Sequence, residues 1–294
     1  MSRIRHEARY LEIDGVLGYV EEVYADRAEG GTPVLCLHTA GQSGVQWRRT
    51  TEELAALGYR VIVPDLPGHG RSEPARSEPA RSEPARFGPV EDLSQYADWC
   101  QRLIAALELE QPYVVGCSIG GKIALDLAVR AGAGLAGAVV LAAEAGPGRV
   151  NVAGLRRELQ DLAAPSRSDR TYLGTLAVVG SAAPPATAEL IATMHRREDP
   201  AVSGADLIGW GTHDVRDALG DTRCPVQLVA GADDLWIDPE RVRRTAEALP
   251  HGRYALLSGV GHYPMEELDG FAGLLHGWLR QLSGDRTPSR RTAR

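Results

Sequence analysis

Hydrophobic positions in this chain fall into two patterns. The first is short, predominantly apolar runs: Pro33–Leu37, Arg60–Pro64, Pro112–Val115, Ala138–Ala142 and Pro225–Ala230. Runs of that length without alternation predict strands covered on both faces. The second is helical spacing between them, over Gln46–Leu57, Pro89–Leu109, Gly121–Val129, Pro239–Leu249 and Met265–Leu282. In the second of these helices, Leu93, Tyr96, Ala97, Cys100, Leu103, Ile104 and Leu107 share one face. Ahead of this series, Ala8–Ile13 and Leu17–Tyr24 alternate and meet at Asp14-Gly15, the pattern of an antiparallel hairpin. Near its end, Tyr254–Leu257 reads as a short strand. Repeated strand–helix units with buried strands predict an α/β protein: a mostly parallel, doubly wound sheet with helices on both faces.

Three segments break the rhythm. Between Pro147 and about Ala218 the strand–helix alternation stops, and short helical patterns such as Val152–Leu162 and Thr187–Arg196 stand between prolines, which predicts a helical insertion. From Ser72 to Arg86 the pentapeptide Ser-Glu-Pro-Ala-Arg occurs three times in tandem. Its recurring proline forbids a regular helix. An exposed loop tolerates such an expansion because closure entropy rises only slowly with length. Residues 285–294 are polar and Arg-rich and are expected to be disordered.

In sheets of this kind, ligands bind outside the carboxyl ends of the strands. His38, Asp65, Ser118, Glu144 and Asp234 each follow a strand-like run, so the topology gathers them at one edge. Gly116-Cys117-Ser118-Ile119-Gly120 stands between an apolar strand and a helical pattern, where G-x-S-x-G forms a nucleophile elbow. The turn forces the serine into a strained backbone conformation, and the helix N-terminus favours negative charge developing above it. Gly116 to Lys122 also spells most of a phosphate-binding loop, but such a loop requires Ser or Thr next and this chain has Ile123.

Composition narrows the picture further. The chain has 294 residues, 44% hydrophobic, with a net charge of −7, so no basic surface argues for nucleic acid. Lys122 is the single lysine. None of the four cysteines, Cys36, Cys100, Cys117 and Cys224, forms a C-x-x-C pair, and free buried thiols in a reducing compartment are expected. The first residues lack the apolar core of a signal peptide, and no apolar run is long enough to span a membrane. A cytoplasmic protein acting on a small molecule is expected, with no membrane or nucleic-acid partner. With no zinc-ligand spacing and no dinucleotide fingerprint, neither metal nor cofactor is expected.

The elbow, Asp65-Leu66-Pro67-Gly68-His69-Gly70-Arg71-Ser72, Gly231-Ala232-Asp233-Asp234 and Gly261-His262 together resemble the α/β-hydrolase-fold family, serine hydrolases with a helical cap. The likeness runs from about Tyr10 to Leu282. It implies a hydrolase core over residues 1–146 and 219–284, and a cap over 147–218. It implies Ser118 as nucleophile, His262 as base and Asp234 as the acid that orients the imidazole, with Glu144 the alternative acid, since some relatives carry theirs one strand earlier. It places the oxyanion hole at the backbone N–H groups of Ile119 and Ala40, with Thr39 as the alternative where most relatives have glycine. The implied activity is cleavage of an ester, lactone or thioester of a small to medium apolar substrate through an acyl-enzyme. The same residues serve C–C bond hydrolysis of a diketone, acyl transfer and perhydrolysis, and the fold also hosts non-catalytic ligand receptors.

Overall fold

A computed structural model describes residues 3–26, 31–75, 88–160 and 167–284 of the chain. The later copies of the pentapeptide repeat and the tail 285–294 lie outside the described residues. Eight strands form one sheet: β1 (Ile4–Ile13), β2 (Val16–Ala25), β3 (Thr32–Leu37), β4 (Tyr59–Pro64), β5 (Tyr113–Cys117), β6 (Gly137–Leu141), β7 (Val226–Gly231) and β8 (Gly252–Leu257). Their order is β1-β2-β4-β3-β5-β6-β7-β8. The hairpin β1–β2 and the β2–β4 pair are antiparallel, and every pairing from β4 to β8 is parallel.

The burial of the strands follows their sequence. β5, β6 and β7, all predominantly apolar, are buried at every position, Gln227 of β7 included. β1 lies at the edge, exposed over most of its length and carrying Glu7 and Arg9, charged groups that discourage a further strand from pairing. Helices α1 (Thr51–Ala56), α2 (Leu93–Ala106), α3 (Ile119–Ala131), α8 (Pro239–Ala248), α9 (Pro264–Glu267) and α10 (Phe271–Gly284) flank the sheet. Asp92 and Asp238 cap α2 and α8 by accepting from the N–H groups of Ser94 and Glu240.

Between β6 and β7 lie α4 (Val152–Gln160), α5 (Arg167–Val178), α6 (Pro185–His195) and α7 (Pro200–Thr212). They pack in pairs, α4 on α7 and α5 on α6, and α7 rests on α2 and α3. Asp199 caps α7 with Pro200 in its first turn.

Two expected helices are shorter than their patterns. The Gln46–Leu57 stretch divides into a 3-10 turn at Gly44–Trp47 and α1. Gly44 N–H is drawn to Asp65 Oδ1 at 2.8 Å, and Gln46 turns inward to bond Thr39, so the first turn faces a different way from the helix. The Met265–Leu282 stretch divides into α9 and α10 at Gly270, whose φ of 73° is open to glycine at little cost.

The first repeat copy is anchored against the hairpin. Glu73 N–H donates to Leu17 O at 2.9 Å, and Glu73 Oε2 accepts from Leu17 N–H at 2.9 Å. Gly88 N–H donates to Ala75 O at 3.0 Å, which brings together the two ends of the intervening repeat.

Candidate active site

Ser118 sits between β5 and α3 with φ 56° and ψ −119°, a region that residues other than glycine rarely occupy. Its N–H donates to Leu141 O on the neighbouring strand at 3.0 Å, and its carbonyl accepts from Lys122 N–H at 3.0 Å. The flanking glycines are required by close approach. A Cβ on Gly116 would stand 2.0 Å from Gly120 O, and one on Gly120 would stand 2.6 Å from both Leu37 O and His38 O. Strand and helix meet so closely that the serine is the point of the turn. Cys117 points inward, buried, its thiol donating to His262 O at 3.2 Å. All four cysteines are free and buried.

His262 follows β8 and Asp234 follows β7, and the fold brings them together. His262 Nδ1 donates to Asp234 Oδ2 at 2.7 Å. Asp234 Oδ1 accepts from the N–H groups of Trp236 and Ile237 at 2.8 and 3.1 Å, so both carboxylate oxygens are committed. Glu267 holds the amides on either side of the histidine, accepting from Gly261 N–H at 2.6 Å and Tyr263 N–H at 2.9 Å, with Gly180 N–H at 2.9 Å as a third donor. The Trp236 ring meets the imidazole edge to face at 4.8 Å.

Glu144 is engaged elsewhere. It is buried at the end of β6 against Arg241, 2.5 Å from Nε. Burial raises its pKa, opposed by the Arg241 and Lys122 charges. Lys122 is fully buried, its ammonium given to Gly146 O and lying 4.6 Å from the Trp210 ring. Burial pulls its pKa down to about 8 against the Glu144 charge. An ammonium held inside the fold is not presented to a phosphate, so the second reading of the glycine-rich turn has no support in the structure.

The loop after β3 supplies the remaining wall. His38 Nδ1–H donates to Thr39 O at 2.9 Å while its Nε2 accepts from Leu66 N–H at 3.0 Å, an arrangement only a neutral imidazole can make. Burial, and then the nearby His69 charge, push its pKa down to about 4. Thr39 gives both its N–H and its hydroxyl to Gln46 Oε1, at 2.8 and 3.1 Å. Among the described residues, no acceptor meets the N–H of Ala40 or of Ile119. At the far end of α3, Arg130 and Asp126 form an ion pair remote from this wall.

Ser118, Asp234, His262, Thr39 and Ala40 line one cavity of about 630 Å³. Its other walls come from the four-helix insertion and the segment after Asp234: Arg149, Arg170, Thr171, Glu198 and Trp210, and Leu235 and Trp236. No sequence motif marks the charged residues among these: Arg170 stands on α5, while Arg149 and Glu198 stand in the connections before α4 and between α6 and α7. Arg196 pairs with Asp169 at 2.9 Å and does not line this cavity. Arg197 lines a neighbouring groove.

A strained serine at a strand–helix turn, above a mostly parallel sheet and beside a carboxylate-bound histidine, defines the class of α/β enzymes built on a nucleophile elbow. Residues 32–268 match the model of the alpha/beta hydrolase fold, and the chain belongs to that family. A pimeloyl-(acyl-carrier protein) methyl ester esterase of Aromatoleum aromaticum is 30% identical over 246 residues, 79% of this chain and 91% of its own length. A 2-hydroxy-6-oxononadienedioate/2-hydroxy-6-oxononatrienedioate hydrolase of Paraburkholderia xenovorans is 30% identical over 125 residues, 42% of this chain and 39% of its own length. In architecture the chain resembles a thermophilic esterase of Thermogutta terrifontis, with a TM-score of 0.77 at 23% identity over 94% of this chain and 99% of that one. It also resembles the enol-lactonase of Burkholderia xenovorans, with a TM-score of 0.78 at 18% identity over 92% of this chain and 100% of that one. Family and relatives together support hydrolase activity.

Proposed function

We propose that the protein is a serine hydrolase that cleaves a carboxylic ester, thioester or lactone through an acyl-enzyme, with Ser118 as nucleophile, His262 as base and Asp234 as its orienting acid. The observation that carries this reading is the 2.7 Å bond from His262 Nδ1 to Asp234, in a cavity that also holds the strained Ser118. That bond keeps the proton on Nδ1 and leaves Nε2 with a lone pair, the form that accepts a proton from a serine hydroxyl. Ser118 Oγ attacks the carbonyl carbon as His262 Nε2 takes its proton. The oxygen that becomes anionic meets the unpartnered N–H groups of Ile119 and Ala40 and the N-terminus of α3. His262 then protonates the leaving group, and a water deprotonated by the same nitrogen releases the acid. Glu144, paired with Arg241, takes no part.

The insertion 147–218 acts as a cap whose helices decide what enters. A cavity of about 630 Å³ suits a small to medium substrate. Leu207, Trp210, Leu235 and Trp236 accommodate an apolar body, while Arg149, Arg170 and Glu198 give the walls a charged portion. The esterase relative from A. aromaticum supports the ester reading over most of both chains.

A second reading is hydrolysis of a C–C bond beside a ketone by the same three residues. The relative from P. xenovorans favours it over less than half of either chain, as do the cationic side chains in the cavity, which suit a carboxylate-bearing substrate. Turnover of a panel of short esters, thioesters, lactones and diketones by the wild type and by Ser118→Ala separates the two. Ester turnover that disappears with the serine supports the first. Activity confined to diketones supports the second. Undiminished ester turnover by Ser118→Ala removes both.

A further inference from the structure

The loop Thr39–Gln42 is gripped by side chains from distant parts of the chain. Gln46 takes the Thr39 N–H at 2.8 Å. Asp206, in α7 of the insertion and fully buried, takes the Gly41 N–H on Oδ2 at 2.8 Å. The same carboxylate accepts from His69 Nε2 at 2.8 Å and from the Tyr96 hydroxyl at 3.0 Å. The amides on both sides of Ala40 are therefore committed, and its own N–H meets no acceptor among the described residues.

The direction of that free N–H is also set. Thr39 C=O and Ala40 N–H belong to one planar trans peptide and point opposite ways. Thr39 O accepts from His38 Nδ1 at 2.9 Å and from Gln42 N–H at 3.2 Å, which pins the carbonyl end of the plane. The next plane, Ala40–Gly41, is pinned at its N–H end by Asp206. An apolar side chain at position 206 would fill the space without the cost of burying a charge, so the carboxylate is explained by the donors it serves.

We propose that Asp206 is a positioning residue for the oxyanion hole: through the Gly41 amide it holds the Ala40 N–H at the cavity wall shared with Ser118. The insertion then contributes to the chemical step as well as to enclosing the substrate. The inference rests on the reading of Ser118 as the nucleophile that attacks a carbonyl.

The test uses the full chain with Asp206→Leu, Asp206→Asn and Tyr96→Phe. Its measurements are kcat and KM on a p-nitrophenyl ester, inhibition by phenylboronic acid, whose tetrahedral adduct with a serine mimics the transition state, and amide hydrogen exchange of wild-type residues 39–41. Asp206→Leu is expected to lower kcat by about 10- to 100-fold, the scale of a misplaced or weakened oxyanion donor. KM should stay within about twofold, and boronate inhibition should weaken in parallel with kcat. Asp206→Asn should restore most of the rate, because its amide oxygen can keep Gly41 while its NH2 turns to the Tyr96 hydroxyl. Tyr96→Phe removes a different bond to the same carboxylate and should leave kcat within about twofold. In the wild type, the Thr39 and Gly41 amides should be protected and the Ala40 amide should not, until boronate binds.

The proposal is overturned if Asp206→Leu keeps kcat within about threefold, if Tyr96→Phe loses as much, or if the free enzyme protects Ala40 as strongly as its neighbours. Should Asp206→Leu fail to fold, the exchange pattern of the wild type decides alone. A wild type that turns over no ester and binds no boronate would sink the hydrolase reading, while the exchange of residues 39–41 would still judge the clamp.

Discussion

Asp234→Asn isolates the role of the carboxylate without changing its shape. Asp234 Oδ1 receives two backbone N–H groups, from Trp236 and Ile237, and Oδ2 receives His262 Nδ1–H. An asparagine has one oxygen and one NH2 to offer these three donors. Turning the NH2 toward the two backbone amides would set donor against two donors, so the oxygen stays there and the NH2 faces Nδ1. The imidazole must then present a lone pair at Nδ1 and carry its proton on Nε2. In that tautomer Nε2 cannot accept the Ser118 proton. A loss of about 10⁴ in kcat is expected, as for the same substitution in other serine triads, or about 5 kcal/mol of transition-state stabilisation. KM should change little, since the side chain is isosteric. The assay is steady-state hydrolysis of a p-nitrophenyl ester with active-site titration, beside Glu144→Gln, whose partner is Arg241 and whose kcat should stay within about threefold. Asp234→Asn within about tenfold of the wild type, or an equal fall in Glu144→Gln, would refute the assignment of the acid.

Other expectations follow from the same geometry. Gly116→Ala sets a Cβ 2.0 Å from the Gly120 carbonyl, a backbone atom that cannot swing aside; the cost should be at least about 3 kcal/mol, read as a fall in Tm of roughly 6–12 °C. His38 titrates near 4 in the fold and near 6.5 when unfolded. The unfolded chain therefore binds the proton first, and stability present above pH 6.5 is lost as pH falls toward 4, by about 3 kcal/mol. His69 opposes this: burial lowers its pKa, but Asp206 raises it overall, so its contribution is greatest in acid. The measurement is accordingly the difference between wild type and His38→Gln in Tm against pH, and the variant should show the shallower acid slope. Deleting Ser77–Arg86 leaves Ala75-Arg76-Phe87-Gly88, and the existing bond from Gly88 N–H to Ala75 O is the one that closes a β-turn. Shortening the connection from twelve residues to two should raise stability by about 1–2 kcal/mol in a chemical denaturation curve, with activity unchanged.

The parallel strands and the elbow were legible because each is local: an unbroken apolar run needs cover on both faces wherever it lies, and the glycines at 116 and 120 mark a close approach between adjacent elements. The break at Gly270 and the start of α7 were legible in principle, from Asp269-Gly270 and Asp199-Pro200, both strong turn or cap signals. What could not be read is the set of buried polar partners. Asp206 meets Gly41 across 165 positions, and Gln46 meets Glu266 across 220. A carboxylate on a helix with apolar neighbours carries no mark of the amide it will hold. The charged cavity wall was hidden for the same reason, since the placement of the insertion's helices and of the connections that carry Arg149 and Glu198 is decided by packing between segments with no shared motif.

The central claim is that Ser118 is an activated nucleophile. Its most direct test is covalent labelling with a fluorophosphonate, read by intact mass and by the modified peptide. The account predicts one adduct per chain on Ser118 in the wild type, none in Ser118→Ala, and labelling slowed by several orders of magnitude in His262→Ala, where no base remains to take the proton. Wild-type protein that stays unlabelled, or an adduct on another residue that persists in Ser118→Ala, would contradict it.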